Sequence, residues 1–220
     1  MPVLSPQSAE KFYDRFGAWQ DWQSFYESAA IDRLITEGAF NKAQSVCEFG
    51  CGTGRMAELL LQNVLPPNPT YLALDISATM IGLAEKRLTP WSKRSKAIQT
   101  NDAPTLHSEN HSIDRVLSTY VLDLLSEADI RTFLTEARRA LKPSGMLCNV
   151  SLMYGQAPLS KAVSSVWQKI HNWRPEMVGG CRPVALRPIL DESQWHIEHL
   201  SVVRRFGICS EVLVARLIND

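Results

Sequence analysis

The stretch Ser45–Leu60, "SVCEFGCGTGRMAELL", constrains the fold more than any other part of this chain. An apolar run meets three glycines at alternate positions, and the hydrophobic spacing then changes to steps of three and four. That pattern reads as a buried strand turning abruptly into a helix. Gly50, Gly52 and Gly54 permit positive φ and close approach of backbone to a ligand. Free N–H groups at the start of the following helix favour an anionic group. In an open α/β sheet the ligand crevice lies beyond the carboxyl end of the first strand, which is where this loop falls.

The rest of the chain repeats the unit. "TYLALDIS" reads as a second strand, and Ser77 is placed to cap the helix "ATMIGLAEKRL". "SKAIQTND" and "SIDRVLSTYVL" read as the third and fourth strands. A helix follows with Ser126 and Asp129 as a capping box and Ile130, Phe133, Leu134, Ala137 and Leu141 as its buried stripe, ended by Pro143 and Gly145. "MLCNVSLM" is a continuous apolar fifth strand of the kind covered on both faces. Strands alternating with helices in this way predict a doubly wound α/β domain. Residues 155–190, rich in proline and glycine, read as irregular, and "WHIEHLSVVRRFGI" and "EVLVARLI" as an antiparallel pair. Ahead of the first strand, Phe12, Phe16, Trp19, Trp22 and Tyr26 recur at steps of three or four and predict an amphipathic helix, either a lid or packing on the sheet.

Composition narrows the partners. Lys and Arg total 23, as do Asp and Glu, so there is no basic field to collect phosphates and no nucleic acid partner is expected. The five cysteines are odd in number and scattered, which favours free thiols and a reducing compartment. No apolar run has the length of a membrane span, and the first residues lack a secretory pattern, so a cytoplasmic protein without stable membrane insertion is expected. His107 and His111 are four apart but lie in a loop without a third ligand, so no metal is expected.

Two ligand classes compete for the glycine loop. A dinucleotide loop starting at Gly50 requires glycine at 50, 52 and 55, and position 55 is Arg55. Asp75, ending the second strand, is placed to accept from the vicinal hydroxyls of a ribose. Asn101 and Asp102 end the third strand where they can accept from an adenine amine, with Ile76 and Met80 against the ring, or else form an Asx turn.

With these residues in view the chain resembles the class I S-adenosylmethionine-dependent methyltransferases. "VCEFGCGTGR" is similar to their first motif, "LALDIS" to their second-strand acid, "QTNDAP" to their adenine segment and "ALKPSGML" to their joint before strand five. The resemblance implies a Rossmann-like sheet of seven strands, mostly parallel, whose last strand inserts antiparallel beside the fifth. It implies Glu48 near the methionine end of S-adenosylmethionine, Gly50, Cys51, Gly52 and Gly54 wrapped around it, Asp75 on the ribose, and Asn101, Asp102 and Ala103 with Ile76 and Met80 around the adenine. Ser118, Thr119 and Tyr120 are then expected to border the sulfonium and the acceptor. The implied division is an aromatic cap at 1–42 and a methyltransferase domain at 43–220, with a cofactor half at 43–152 and an acceptor side at 153–220.

Methyl transfer from a sulfonium needs alignment and exclusion of water more than it needs a base. Where the acceptor must lose a proton, the candidates are Tyr13, Tyr120, Asp123, Tyr154 and His171, of which Tyr13, Tyr120 and His171 are carried forward as catalytic. The expected function is methyl transfer to a small-molecule or lipid-like acceptor. The alternatives are a nicotinamide-dependent oxidoreductase and a binding protein for S-adenosylmethionine without turnover.

Overall fold

A computed structural model of the chain describes residues 24–101, 104–174 and 180–218. Phe12, Phe16, Trp19 and Trp22 of the expected aromatic helix, the candidate Tyr13, and Asp102 and Ala103 lie outside the described residues. Five helices are described: α1 (Ser24–Glu37), α2 (Arg55–Asn63), α3 (Ala78–Leu88), α4 (Glu127–Ala140) and α5 (Pro158–Trp173). The strands are β1 (Ser45–Phe49), β2 (Thr70–Asp75), β3 (Ser95–Gln99), β4 (Ile113–Thr119), β5 (Leu141–Met153), β6 (Trp195–Arg205) and β7 (Ile208–Leu217).

They form one seven-stranded sheet in the order β3-β2-β1-β4-β5-β7-β6. Pairing is parallel from β3 through β5, and β7 runs antiparallel to both β5 and β6. The strand order reverses between β1 and β4, so the crevice beyond their carboxyl ends is where such a sheet takes a ligand.

Alternation along the strands divides the core between two faces. Val46, Tyr71, Leu117, Cys148 and Val214 pack on one side with α1, α2 and α3, while Cys47, Leu74, Val116, Leu147 and Leu213 pack on the other with α4. Burial of both faces is why β1 and β5 read as continuous apolar runs. Both predicted caps form: Ser77 Oγ accepts from Met80 N–H at 3.2 Å and Ser126 Oγ from Asp129 N–H at 3.1 Å. Phe133, in the middle of α4, is fully buried with its ring 5.0 Å from that of Phe49 on β1.

Three boundaries depart from the sequence reading. The helix expected to run to Pro143 ends at Ala140, because Leu141 is extended and already pairs with Ile113. The fourth strand stops at Thr119, where Tyr120 takes φ +56° and leads into a short 3-10 turn, Leu122–Leu124. Residues 155–190, read as irregular, contain the sixteen-residue α5. Its start is fixed by Pro158 in the first turn and by Ala157 N–H donating to Ser160 Oγ at 3.0 Å. Gly155 passes so close that a Cβ there would fall 2.0 Å from the Ser160 carbonyl carbon. The β6–β7 pair is antiparallel as expected, but its turn falls at Phe206 and Gly207, read as part of the first strand, with φ +51° and +82° in the manner of a type I′ turn.

Phe133→Ala removes the ring that joins α4 to β1, and we expect a loss of about 3–5 kcal/mol in urea denaturation. The far-UV circular dichroism spectrum should stay that of the parent.

Candidate functional site

The loop after β1 is held by the end of β2. Gly50 N–H and Cys51 N–H both donate to the Leu74 carbonyl at 2.8 Å. Gly52 N–H donates to Asp75 Oδ2 at 2.8 Å, and the other oxygen of Asp75 accepts from Ser77 N–H at 2.9 Å. One carboxylate therefore fixes both the glycine loop and the entry to α3. The three glycines have φ of +75°, +52° and +77°. Glycine is also required for space at two of them. A Cβ on Gly50 would lie 2.3 Å from Val121 Cγ2, and one on Gly54 would lie 3.0 Å from both Cα and Cβ of Ala84 on α3.

Glu48 points into the face lined by α1, α2 and α3 and is 1% exposed. The Tyr71 hydroxyl donates to its Oε2 at 2.8 Å. Burial pushes the Glu48 carboxyl up to about 8; the Tyr71 bond opposes that rise and the nearby Asp75 charge adds to it. Cys51 is buried, its Sγ 3.6 Å from the Gly52 carbonyl, and burial holds the thiol protonated well above its ordinary range. Ile76 is half-buried, Met80 buried and Asn101 exposed. His107 and His111 bond to Thr105 Oγ1 and to the Leu141 carbonyl, and no metal-sized cluster of His, Cys, Asp or Glu occurs among the described residues.

Residues 46–145 match the family model for a methyltransferase domain. This segment is a methyltransferase domain of class I architecture. The chain is 27% identical over 163 residues to a malonyl-[acyl-carrier protein] O-methyltransferase of Marinomonas sp. (strain MWYL1), covering 74% of this chain and 57% of that protein. This chain thus spans little more than half of that relative's length. Among solved structures it resembles the [4+2]-cyclase SpnF, with a TM-score of 0.70, 15% identity and 98% of each chain covered. It also resembles a geranyl diphosphate methyltransferase in complex with S-adenosylmethionine, with a TM-score of 0.65, 12% identity, and 87% of this chain and 86% of that one covered. At these identities the two neighbours support the fold.

Within this methyltransferase fold a second group of side chains gathers past the carboxyl ends of β4 and β5. Ser118 is fully buried, and neither its Oγ nor the Oδ1 of Asn149, opposite it on β5, has a hydrogen-bond partner among the described residues. Thr119 is half-buried. The Tyr120 hydroxyl lies 2.8 Å from Ser210 Oγ on β7, and burial raises the phenol above its ordinary value, so it stays neutral. Asp123, in the 3-10 turn, is fully buried; its Oδ2 accepts from Leu152 N–H at 3.5 Å, and its Oδ1 has no partner among the described residues. Burial lifts this carboxyl to about 7. His171, on α5, is fully buried with Nε2 3.1 Å from the Gly180 carbonyl, and its Nδ1 has no partner among the described residues. A pocket beside it is lined by Leu152, Met153, Val163, Trp167, Pro183 and Ile208.

The fold therefore brings Glu48, the glycine loop and Asp75 together, with Tyr120 and Asp123 near the end of β4. His171 is on α5, the helix whose Val163 and Trp167 line the apolar pocket. Tyr71 and Val121 were missed in the sequence. Tyr71 was within reach, since Tyr71, Ala73 and Asp75 share one face of β2 and pairing of β1 with β2 sets that face beside Glu48.

Gly50→Ala is expected to cost about 1–3 kcal/mol in denaturant melts, from the positive φ and the Val121 clash. Gly50→Ala with Val121→Ala should recover the share due to the clash. Glu48 and Asp123 also give a pH dependence without added ligand. Their folded values of about 8 and about 7 lie above the ordinary 4.5 and 3.8, so their favourable contribution is complete below those ordinary values and is lost as pH rises through the folded ones. Urea midpoints should fall from about pH 5 to about pH 9, and less steeply in Glu48→Gln.

Proposed function

We propose that this chain is an S-adenosylmethionine-dependent methyltransferase acting on a small, largely apolar acceptor. The arrangement of Glu48, Gly52 and Asp75 carries the reading. A carboxyl buried against Tyr71 has little reason to sit at the end of β1 unless a cationic group is to meet it, and a methionine ammonium is such a group. Gly50, Cys51, Gly52 and Gly54 supply a backbone surface that admits close approach, and Asp75 is half-buried at the lip of the loop, suited to ribose hydroxyls. Ile76, Met80, Asn101, Asp102 and Ala103 are assigned to the adenine side. When bound, S-adenosylmethionine supplies a methyl group on a positively charged sulfur, already activated for displacement.

This chain's residues then have to orient the acceptor and exclude water. Ser118, Thr119 and Tyr120 border the space between the glycine loop and β5 and are assigned to that task. Tyr120, neutral and fixed to Ser210, is suited to donate a hydrogen bond rather than to take a proton. Tyr13 and His171 stand as further candidates. The acceptor lies toward the pocket of Leu152, Val163, Trp167, Pro183 and Ile208, whose apolar lining favours a hydrocarbon or aromatic group. The named relative acts on a malonyl-[acyl-carrier protein], and an acyl acceptor would suit this lining. The five cysteines, none of them in a disulfide, fit a reducing, cytoplasmic setting.

A fold neighbour described as a cyclase shows that this architecture hosts other chemistry, so binding and turnover need separate tests. Calorimetric titration should give micromolar binding of S-adenosylmethionine and S-adenosylhomocysteine, none of NAD(H), and loss of binding in Asp75→Ala. Binding of NAD(H) alone would overturn the reading. Because a cation at Glu48 favours its carboxylate, binding near neutral pH should release close to one proton, and affinity should rise with pH up to about 8. Titrations in buffers of different ionisation enthalpy read that proton, and Glu48→Gln should abolish it.

A further inference from the structure

The outer side of α5 and the neighbouring hairpin tip expose large apolar groups among cations. On α5, Val166, Lys169 and Trp173 fall at helical spacing on one face, with Val166 58% and Trp173 72% exposed. Tyr154, 44% exposed, lies alongside, its hydroxyl donating to Gln168 Oε1 at 3.2 Å. Phe206, at the tip of the β6–β7 hairpin, is 74% exposed. The tip abuts α5, since a Cβ on Gly207 would lie 3.1 Å from Val163 Cγ2.

The exposed charges of α5 and of the hairpin tip are all cationic. Lys161, Lys169, Arg174, Arg204 and Arg205 are all exposed, and the sequence of α5, "PLSKAVSSVWQKIHNW", contains no acid. The acid of β6, Glu198, is taken up by Arg216 and His196 toward the other end of that strand. Asp191 feels Arg138 of α4 on the opposite face of the sheet. Among the described residues, a chain of zero net charge thus presents a local basic surface. Two of its guanidinium groups stand over its aromatic rings, Arg174 at 5.1 Å from the Trp173 centroid and Arg205 at 5.9 Å from that of Phe206. Rings that reach outward with cations at their base suit an anionic bilayer, where rings enter the acyl boundary and cations stay at the phosphates. An acidic protein would match the charge but would leave rings of this exposure wet around its rim. No helix among the described residues is long and apolar enough to cross a membrane, so the contact is peripheral.

We infer that α5 and the β6–β7 tip form a docking surface for anionic lipid bilayers. It lies over the apolar pocket, since Val163 and Trp167 of α5 and Ile208 beside the tip line that pocket. A lipid-like acceptor would then pass from the bilayer into the pocket without crossing water. This last step rests on the proposed function; the docking does not.

The test is co-sedimentation of the full chain with vesicles of phosphatidylcholine alone and of phosphatidylcholine mixed with phosphatidylglycerol. Binding should favour the mixed vesicles and weaken at high salt. Arg204→Glu with Arg205→Glu should reduce partitioning roughly thirtyfold or more. Trp173→Ala with Phe206→Asn, where asparagine tolerates the turn, should reduce it roughly tenfold or more. Circular dichroism and S-adenosylmethionine titration on the same samples separate misfolding and failure of the cofactor reading from failure of docking. No sedimentation with either vesicle, equal binding to both, or full binding by both variants would overturn the inference. So would capture by a purified acidic acyl-carrier protein while vesicles leave the chain in solution.

Discussion

The Leu74 carbonyl accepts from two successive N–H groups of the loop after β1, while the next residue of β2, Asp75, takes Gly52 N–H. These bonds hold the ends of β1 and β2 level and turn the chain back into α2. The other features of the site follow from that bend. Gly50 must lack a side chain because Val121, leaving β4, occupies the space; Gly54 must lack one because α3 packs there through Ala84. The loop is thus a joint between three parallel strands and two helices as well as a surface for a ligand. Asp75 is part of that joint, so a substitution there disturbs the loop geometry as well as the ribose contact proposed for it.

The two sides of the crevice differ in electrostatics. On the β1–β2 side a buried carboxyl, Glu48, is kept protonated by desolvation and has Tyr71 as donor. Past β4 and β5 the lining becomes apolar, and burial likewise raises the Asp123 carboxyl, to about 7. A buried acid is unfavourable as an anion until a cation arrives, so the charge state on the first side is set by what binds. On the second side Arg182 partly offsets the burial of Asp123, and the apolar lining favours a neutral, hydrocarbon-rich guest. A donor carrying positive charge and an acceptor carrying little are what this division accommodates.

Much of the fold was legible because its signals are local. Ser77 and Ser126 cap helices as their sequences indicate, and the two terminal apolar runs pair antiparallel as read, although the turn falls at Phe206-Gly207, inside the first of them. The order of strands and helices up to β5 followed from periodicity. α5 was missed because Pro158, Gly155 and the serines around it read as loop, although Val163, Trp167 and Ile170 recur at helical spacing. Packing settles it: Trp167 Nε1 donates to the Cys181 carbonyl at 2.9 Å and Gly155 N–H to Ser164 Oγ at 2.7 Å, partners that spacing along one helix cannot reveal. Nor does sequence show that Arg94, in the basic segment before β3, reaches the carbonyls of Leu61 and Pro66, or that Arg87 reaches Thr53 Oγ1.

By itself the sequence determined the glycine loop, the alternation of strands and helices, the antiparallel close of the sheet and the residue types offered to a ligand. These are properties of backbone preference and hydrophobic period, carried by neighbours within a few positions. Tertiary structure alone decided which carboxyls are buried, that Tyr71 faces Glu48, that Val121 fills the space above Gly50, and that α5 covers an apolar pocket while turning Trp173 outward. Each depends on register between segments far apart in the chain, and burial and hydrogen-bond partners exist only once those segments have met.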